Sequence, residues 1–176
     1  MANPVTHFLV AAILVAIFRD FFTDKKKFPL HYVYIAGFAA LLPDFDVLIY
    51  YFISSTVTLA EFHRTFTHTL FVPLLFLILG FIFYCFKSKG LGKYKLKLHL
   101  IFFVIAFGTF THLILDYLLA GYIMPLYPFY NQALGLNLAY LFPGVTHNTI
   151  IAVIDAAFLI LWVIYLEVKG KLRDFI

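Results

Sequence analysis

Hydrophobic and polar positions in this chain fall into long blocks instead of alternating. Five apolar stretches, each near the ~20 residues needed to cross a bilayer, are separated by polar connections. The first runs about 4–22 and leads into Lys25-Lys26-Lys27; the second runs about 30–53 and is interrupted at Pro43. The third covers about 67–86, the fourth about 98–122 and the fifth about 148–168. Ser54-Ser55-Thr56 reads as a loop, and the longest connection, 123–146, is rich in Pro, Tyr, Asn and Gly. The pattern predicts an all-α integral membrane bundle of about five transmembrane helices, a single domain over 1–176.

Composition supports a membrane chain. At 64% hydrophobic and 12% charged, it is far more apolar than a soluble domain, where roughly half the residues are apolar and a quarter charged. The first stretch has no basic n-region and runs directly into Arg19 and Asp20, so it reads as a retained span and not a cleaved signal. Cys85 is the only cysteine, which excludes an intrachain disulfide and a thiolate metal cluster. The net charge of +4 comes from lysines that flank apolar runs, so no nucleic-acid partner is expected. Membrane lipids are the expected surroundings, and the sequence leaves the oligomeric state open.

The basic residues also orient the spans. All of the thirteen Lys and Arg except Arg64 fall in the first connection, the third connection or the C-terminal tail, counting Arg19 at the end of span 1. With five spans these segments share one side, which the positive-inside rule makes cytoplasmic. The N-terminus, the second connection and the 123–146 connection then face outward.

With orientation set, the helical rise places the other polar residues by depth. Asp44 and Asp46 sit ~21–24 Å from the inner end of span 2, and His112 and Asp116 ~21–27 Å up span 4, all in the outer third. His7, His63, Arg64, His68 and His147 stand at the outer ends of their spans, with Asp155 two turns inside span 5. His31 and His99 lie at inner ends and read as interfacial. Thr6, Thr67 and Thr146 each precede a histidine where a helix N-cap is wanted. Tyr122, Tyr127 and Tyr130 fit an outer aromatic belt, and the 123–146 connection can form a lid or substrate shelf.

Several of these residues carry chemistry. His112 and Asp116 are four apart, so they share a helix face and can chelate a divalent cation; alternatively His112 bonds a neighbouring helix and Asp116 caps the helix end. Pro43 is expected to break span 2, aiming Asp44 and Asp46 into one cavity; the plain alternative is a helix end with both aspartates in water. The outer layer sets Asp44, Asp46, Glu61, Asp116 and Asp155 against Arg64. Each intramembrane Asp costs ~2.5–3.5 kcal/mol on insertion scales, so several uncompensated ones approach the whole stability of a typical protein. One or two divalent cations would compensate them. Oxygen and imidazole donors suit zinc, manganese, iron or nickel better than magnesium or calcium; zinc is the first expectation, with manganese or iron as alternatives. Such an ion lowers the pKa of a bound water to ~7. Arg64 is either the fork for a phosphate or carboxylate, or a salt-bridge partner of Asp44, Asp46 or Glu61. His147 and Asp155 are either ligands or helix-packing contacts.

An outer-end histidine on span 1, Pro43-Asp44-Phe45-Asp46, a His-Arg-x-x-x-His from His63 to His68 and the His112–Asp116 pair, in this order, resemble the YdjM-like family. Its members are predicted LexA-regulated, membrane-bound, metal-dependent hydrolases, thought to be distantly similar to zinc-dependent phospholipase C and P1 nuclease. The resemblance covers His7 to about Pro128 and implies His7, Asp44, Asp46, His63, His68, His112 and Asp116 as metal ligands, with Arg64, Asp46 and His63 catalytic. Val47 and Thr69 replace the His and Ser often found in the pattern. The expected function is hydrolysis of a lipid-borne or lipid-linked phosphoester. The competing readings are a metal-ion or proton-coupled transporter and a non-catalytic, metal-stapled regulator.

Overall fold

The computed structural model describes residues 3–53, 58–63, 65–86, 90–119, 121–142 and 144–170, with the side chains of Ile53, Ala60 and Glu61 outside that set. Seven α-helices are described: α1 Pro4–Phe22, α2 His31–Ala39, α3 Phe45–Ile53, α4 Leu59–Phe62, α5 Phe71–Cys85, α6 Leu98–Leu118 and α7 His147–Val168. A 3-10 turn covers Leu138–Leu141.

Helices α1, α6 and α7 are long and apolar enough to cross a membrane. α2 and the helix following Pro43 together make a fourth apolar length, bent by 48° at the break. The bend sits where Pro43 predicts it, because proline lacks the N–H that would continue the helical ladder. The fifth apolar helix, α5, has 15 residues, about 22 Å of rise. It begins at Phe71, four residues later than the sequence suggests. The preceding segment is drawn off as a turn, with the Thr67 hydroxyl donating to Asp46 and the Leu70 amide to the Pro125 carbonyl.

The core forms where α1, α2 and α6 meet. Ala12, Val15, Ala16, Tyr32, Val33, Ala36 and Val104 are buried there with Phe28. Small residues let backbones approach closely where lipid supplies little drive for helix association. At Gly108 the approach is closest: a Cβ there would meet the Ala36 carbonyl oxygen at 2.4 Å and Ala39 at 3.0 Å. This contact pins α6 against the end of α2, one turn before His112. α7 is peripheral, with Ile151 its buried residue. Hydrogen bonds hold it to α1 at both ends, from Asn3 and Thr6 to Asp155 and from Tyr165 to Asp20.

Of the three threonines expected as N-caps, only Thr146 is one, accepting from the Thr149 amide. α1 is started by Asn3 with Pro4 in its first turn, which leaves Thr6 inside the helix. α5 follows Leu70. Thr6 and Thr67 spend their hydroxyls on carboxylates of other segments, bonds that sequence position alone does not reveal.

Candidate metal centre

The break in span 2, the turn before α5 and one face of α6 converge beside the first turns of α1. Two groups of side chains there can hold a metal ion: His7, His112 and Asp116, and Asp44, His63 and His68. Within each group the ligand atoms lie within 4.8 Å of one another. His7, His68, His112 and Asp116 are completely buried. The Asp44 side chain is 18% exposed, which makes it the part of the cluster nearest the exterior.

The two groups share a centre. The Nε2 atoms of His68 and His112 are 3.1 Å apart. His68 Nε2 lies 3.4 Å from Asp44 Oδ1 and 3.7 Å from Asp116 Oδ2. His112 Nε2 is 3.6 Å from Asp44 Oδ1 and 3.7 Å from Asp116 Oδ2. Four donors placed tetrahedrally at ~2.0–2.1 Å from a zinc-sized ion stand about 3.3 Å apart. These five of the six edges, 3.1–3.7 Å long, bracket that spacing.

Hydrogen bonds behind the imidazoles fix which nitrogen faces inward. His112 Nδ1 is 2.7 Å from the Ala40 carbonyl oxygen. A carbonyl only accepts, so Nδ1 carries the proton and neutral His112 turns the lone pair of Nε2 to the centre. His63 Nδ1 lies 2.8 Å from Asp46 Oδ1, and its buried Nε2 has no hydrogen-bond partner among the described residues. His68 Nδ1 is 3.4 Å from Asp46 Oδ2, which also accepts from the Thr67 hydroxyl at 2.9 Å. Asp46 therefore stands behind two imidazoles as the carboxylate that orients them. It belongs to neither group, although the sequence placed it among the ligands.

The Nε2 atoms of His68 and His112 face each other at 3.1 Å, close enough to share one proton or to ligate one cation. His7 stacks on His112, ring centroids 3.9 Å apart, and its Nε2 is 3.6 Å from Asp116 Oδ1. Neither His7 nitrogen has a hydrogen-bond partner among the described residues, nor does Asp44 Oδ1. Unpaired buried polar atoms are costly. These atoms of His7 and Asp44 belong to ligand-type groups at one place, and the residues fit a divalent ion.

The remaining sequence candidates separate from this cluster or leave the described set. Arg64 lies outside the described residues, as does the Glu61 side chain. Asp155 accepts from Asn3 at 2.5 Å and from Thr6, one residue before His7, and so packs α7 on α1. His147 stacks on Tyr140, centroids 5.1 Å apart, outside both ligand groups. His31 and His99 pair with Tyr94 and Tyr84 instead. The sequence missed the Ala40 carbonyl, because a backbone acceptor leaves no trace in residue type. It also missed Thr67 as a partner of Asp46, although the threonine adjoins His68.

Comparison with curated proteins and with solved structures finds no match. A family model described as YdjM inner membrane protein does match, over residues 1–172, and the chain thus belongs to the YdjM inner membrane protein family.

Proposed function

We propose that the protein is a membrane-bound metal-dependent hydrolase that cleaves a phosphoester of a lipid or lipid-linked substrate at the outer membrane–water interface. The observation that carries this reading is the set of five ligand-to-ligand distances between 3.1 and 3.7 Å around His68, His112, Asp44 and Asp116. Zinc suits these donors first, with manganese or iron as the other candidates. A divalent ion held there supplies Lewis-acid polarisation and an acidified water.

The chain's own residues do the rest. His68, His112, Asp44 and Asp116 hold the ion, with His7 and His63 flanking them. Asp46 keeps the His63 Nδ1 proton in place, which leaves Nε2 free to take or return a proton. Arg64, next in sequence to His63, forks the phosphate and steadies its developing charge. Burial of the cluster keeps bulk water away, and the partly exposed Asp44 marks the side from which a substrate approaches. Lysines flanking the opposite ends of the spans favour the outer face for this layer. The phosphoester assignment draws on the His and Asp pattern, which is similar to that of zinc-dependent phospholipase C and P1 nuclease.

The test is cleavage of phospholipid and lipid-linked phosphoester vesicles by the purified protein, before chelation, after it, and after metal is restored. Activity should disappear with the metal and return with it. A metal-replete, folded protein that cleaves no phosphoester, yet unfolds more readily when stripped, would leave the ion a staple between α1, α6 and the broken span. Uptake of zinc or manganese into proteoliposomes that depends on Asp44 and Asp116 would favour a transporter.

A further inference from the structure

We propose that the 121–146 connection is a lipid-binding surface lying in the headgroup–acyl boundary of the bilayer, and is not a loop projecting into water. The stretch contains no Asp, Glu, Lys, Arg or His. Its large apolar side chains are displayed outward: Phe129 is 86% exposed, Leu141 69%, Tyr140 68% and Phe142 60%. A loop in water does not sustain such a surface, whereas Tyr, Phe and Leu are favoured at the membrane interface.

The backbone is prepared for the same environment. Where water is scarce, an irregular segment must satisfy its own N–H and C=O groups. Ile123 and Leu134 exchange both bonds, at 2.8 and 2.9 Å. The Phe129 and Tyr130 amides donate to the Leu126 carbonyl. Leu136 and Ala139 return their amides to carbonyls at the end of α6, Tyr117 at 2.7 Å and Leu119 at 2.9 Å. The Gly121 amide is taken by the Asn137 side chain at 2.6 Å. At Gly135 a Cβ would fall 2.1 Å from the Gly121 carbonyl oxygen, so the folded-back stretch closes on itself with no room for a side chain.

Position identifies the occupant. The connection joins the ends of two helices long and apolar enough to cross a membrane, so its exposed face continues theirs. It is also stitched to the turn that carries His68. The Pro125 carbonyl accepts from the Leu70 amide, Phe66 meets Tyr127 at 5.0 Å and Phe71 meets Phe129 at 5.8 Å. A second copy of the chain is the rival occupant.

The experiment uses the full-length protein in phosphatidylcholine vesicles, with the native tryptophan removed as Trp162→Phe and one reporter added, Phe129→Trp or Phe142→Trp. Each variant is first checked for an unchanged thermal unfolding profile. Phosphatidylcholine carrying a nitroxide at a shallow acyl position should reduce emission to roughly half, and aqueous iodide should remove no more than about a tenth, as expected for an aromatic ring in the boundary layer. Efficient iodide quenching without lipid quenching would overturn the proposal. So would protection from both quenchers at both positions, which would put protein over the surface. The readout needs neither metal nor catalysis, so it stands or fails separately from the hydrolase reading.

Discussion

Near the lysine-rich end of α1, Arg19 donates from Nε to the Phe28 carbonyl at 2.9 Å and pairs with Asp20 at 2.8 Å, while the Tyr165 hydroxyl donates to Asp20 at 2.5 Å. Near the other end of the same helix, His7 faces Asp116 at 3.6 Å, and His68 and His112 face each other at 3.1 Å. Both clusters bury polar groups in an apolar chain, but their chemistry is opposite. In the first, opposite charges meet and donors find acceptors, so the cluster is complete as it stands. It latches α1, the segment after it and α7. In the second, imidazoles and carboxylates crowd together, and neither nitrogen of His7 has a hydrogen-bond partner among the described residues. A complete cluster holds the fold together; an incomplete one built of ligand atoms points to an ion.

That contrast can be broken by substitution, and the largest effect belongs to the histidine cluster. A full set of ligands binds structural zinc with about 10–16 kcal/mol, so losing one of four donors costs about 3 kcal/mol, roughly a hundredfold or more in affinity. His112→Ala and Asp116→Asn should each show that loss in competition with a chelating dye. Asp46→Asn should weaken metal binding about 10–100-fold through its hold on His63 and His68; an unchanged affinity would remove Asp46 from the account. Asp20→Asn should leave metal binding untouched and lower unfolding stability by about 2 kcal/mol, the usual loss for a hydrogen bond to a charged group. Tyr165→Phe should lower it by about 1 kcal/mol. A metal defect in Asp20→Asn or Tyr165→Phe would erase the distinction between the clusters. Acidification should release metal from the histidine cluster, because imidazole and carboxylate ligands must be deprotonated to bind.

The sequence revealed the members of the histidine cluster better than their arrangement. Intramembrane His and Asp are rare enough that depth alone brought His7, Asp44, His63, His68, His112 and Asp116 to one layer. Pro43 explained how Asp44 and Asp46 escape a regular helix. Residue type does not separate a ligand from a carboxylate behind it; the sequence groups Asp46 with Asp44, whereas the structure sets Asp46 2.8 Å from His63 Nδ1. The N-cap expectation at Thr6 and Thr67 failed because a hydroxyl beside a distant carboxylate bonds there instead. The start of α5 was misplaced for the same reason, since the turn at 65–70 is held by contacts remote in sequence. The latch of Arg19, Asp20 and Tyr165 was invisible, because Tyr165 reads as one aromatic residue among many.

The central claim is that the converging imidazoles and carboxylates hold a divalent ion. Elemental analysis of the protein purified from its membrane without chelator, alongside His112→Ala of equal thermal stability, tests it most directly. One or two divalent ions per chain in the wild type and none in the variant is the predicted result. A folded wild type that carries no divalent metal, and acquires none from micromolar zinc, manganese or iron, would contradict it.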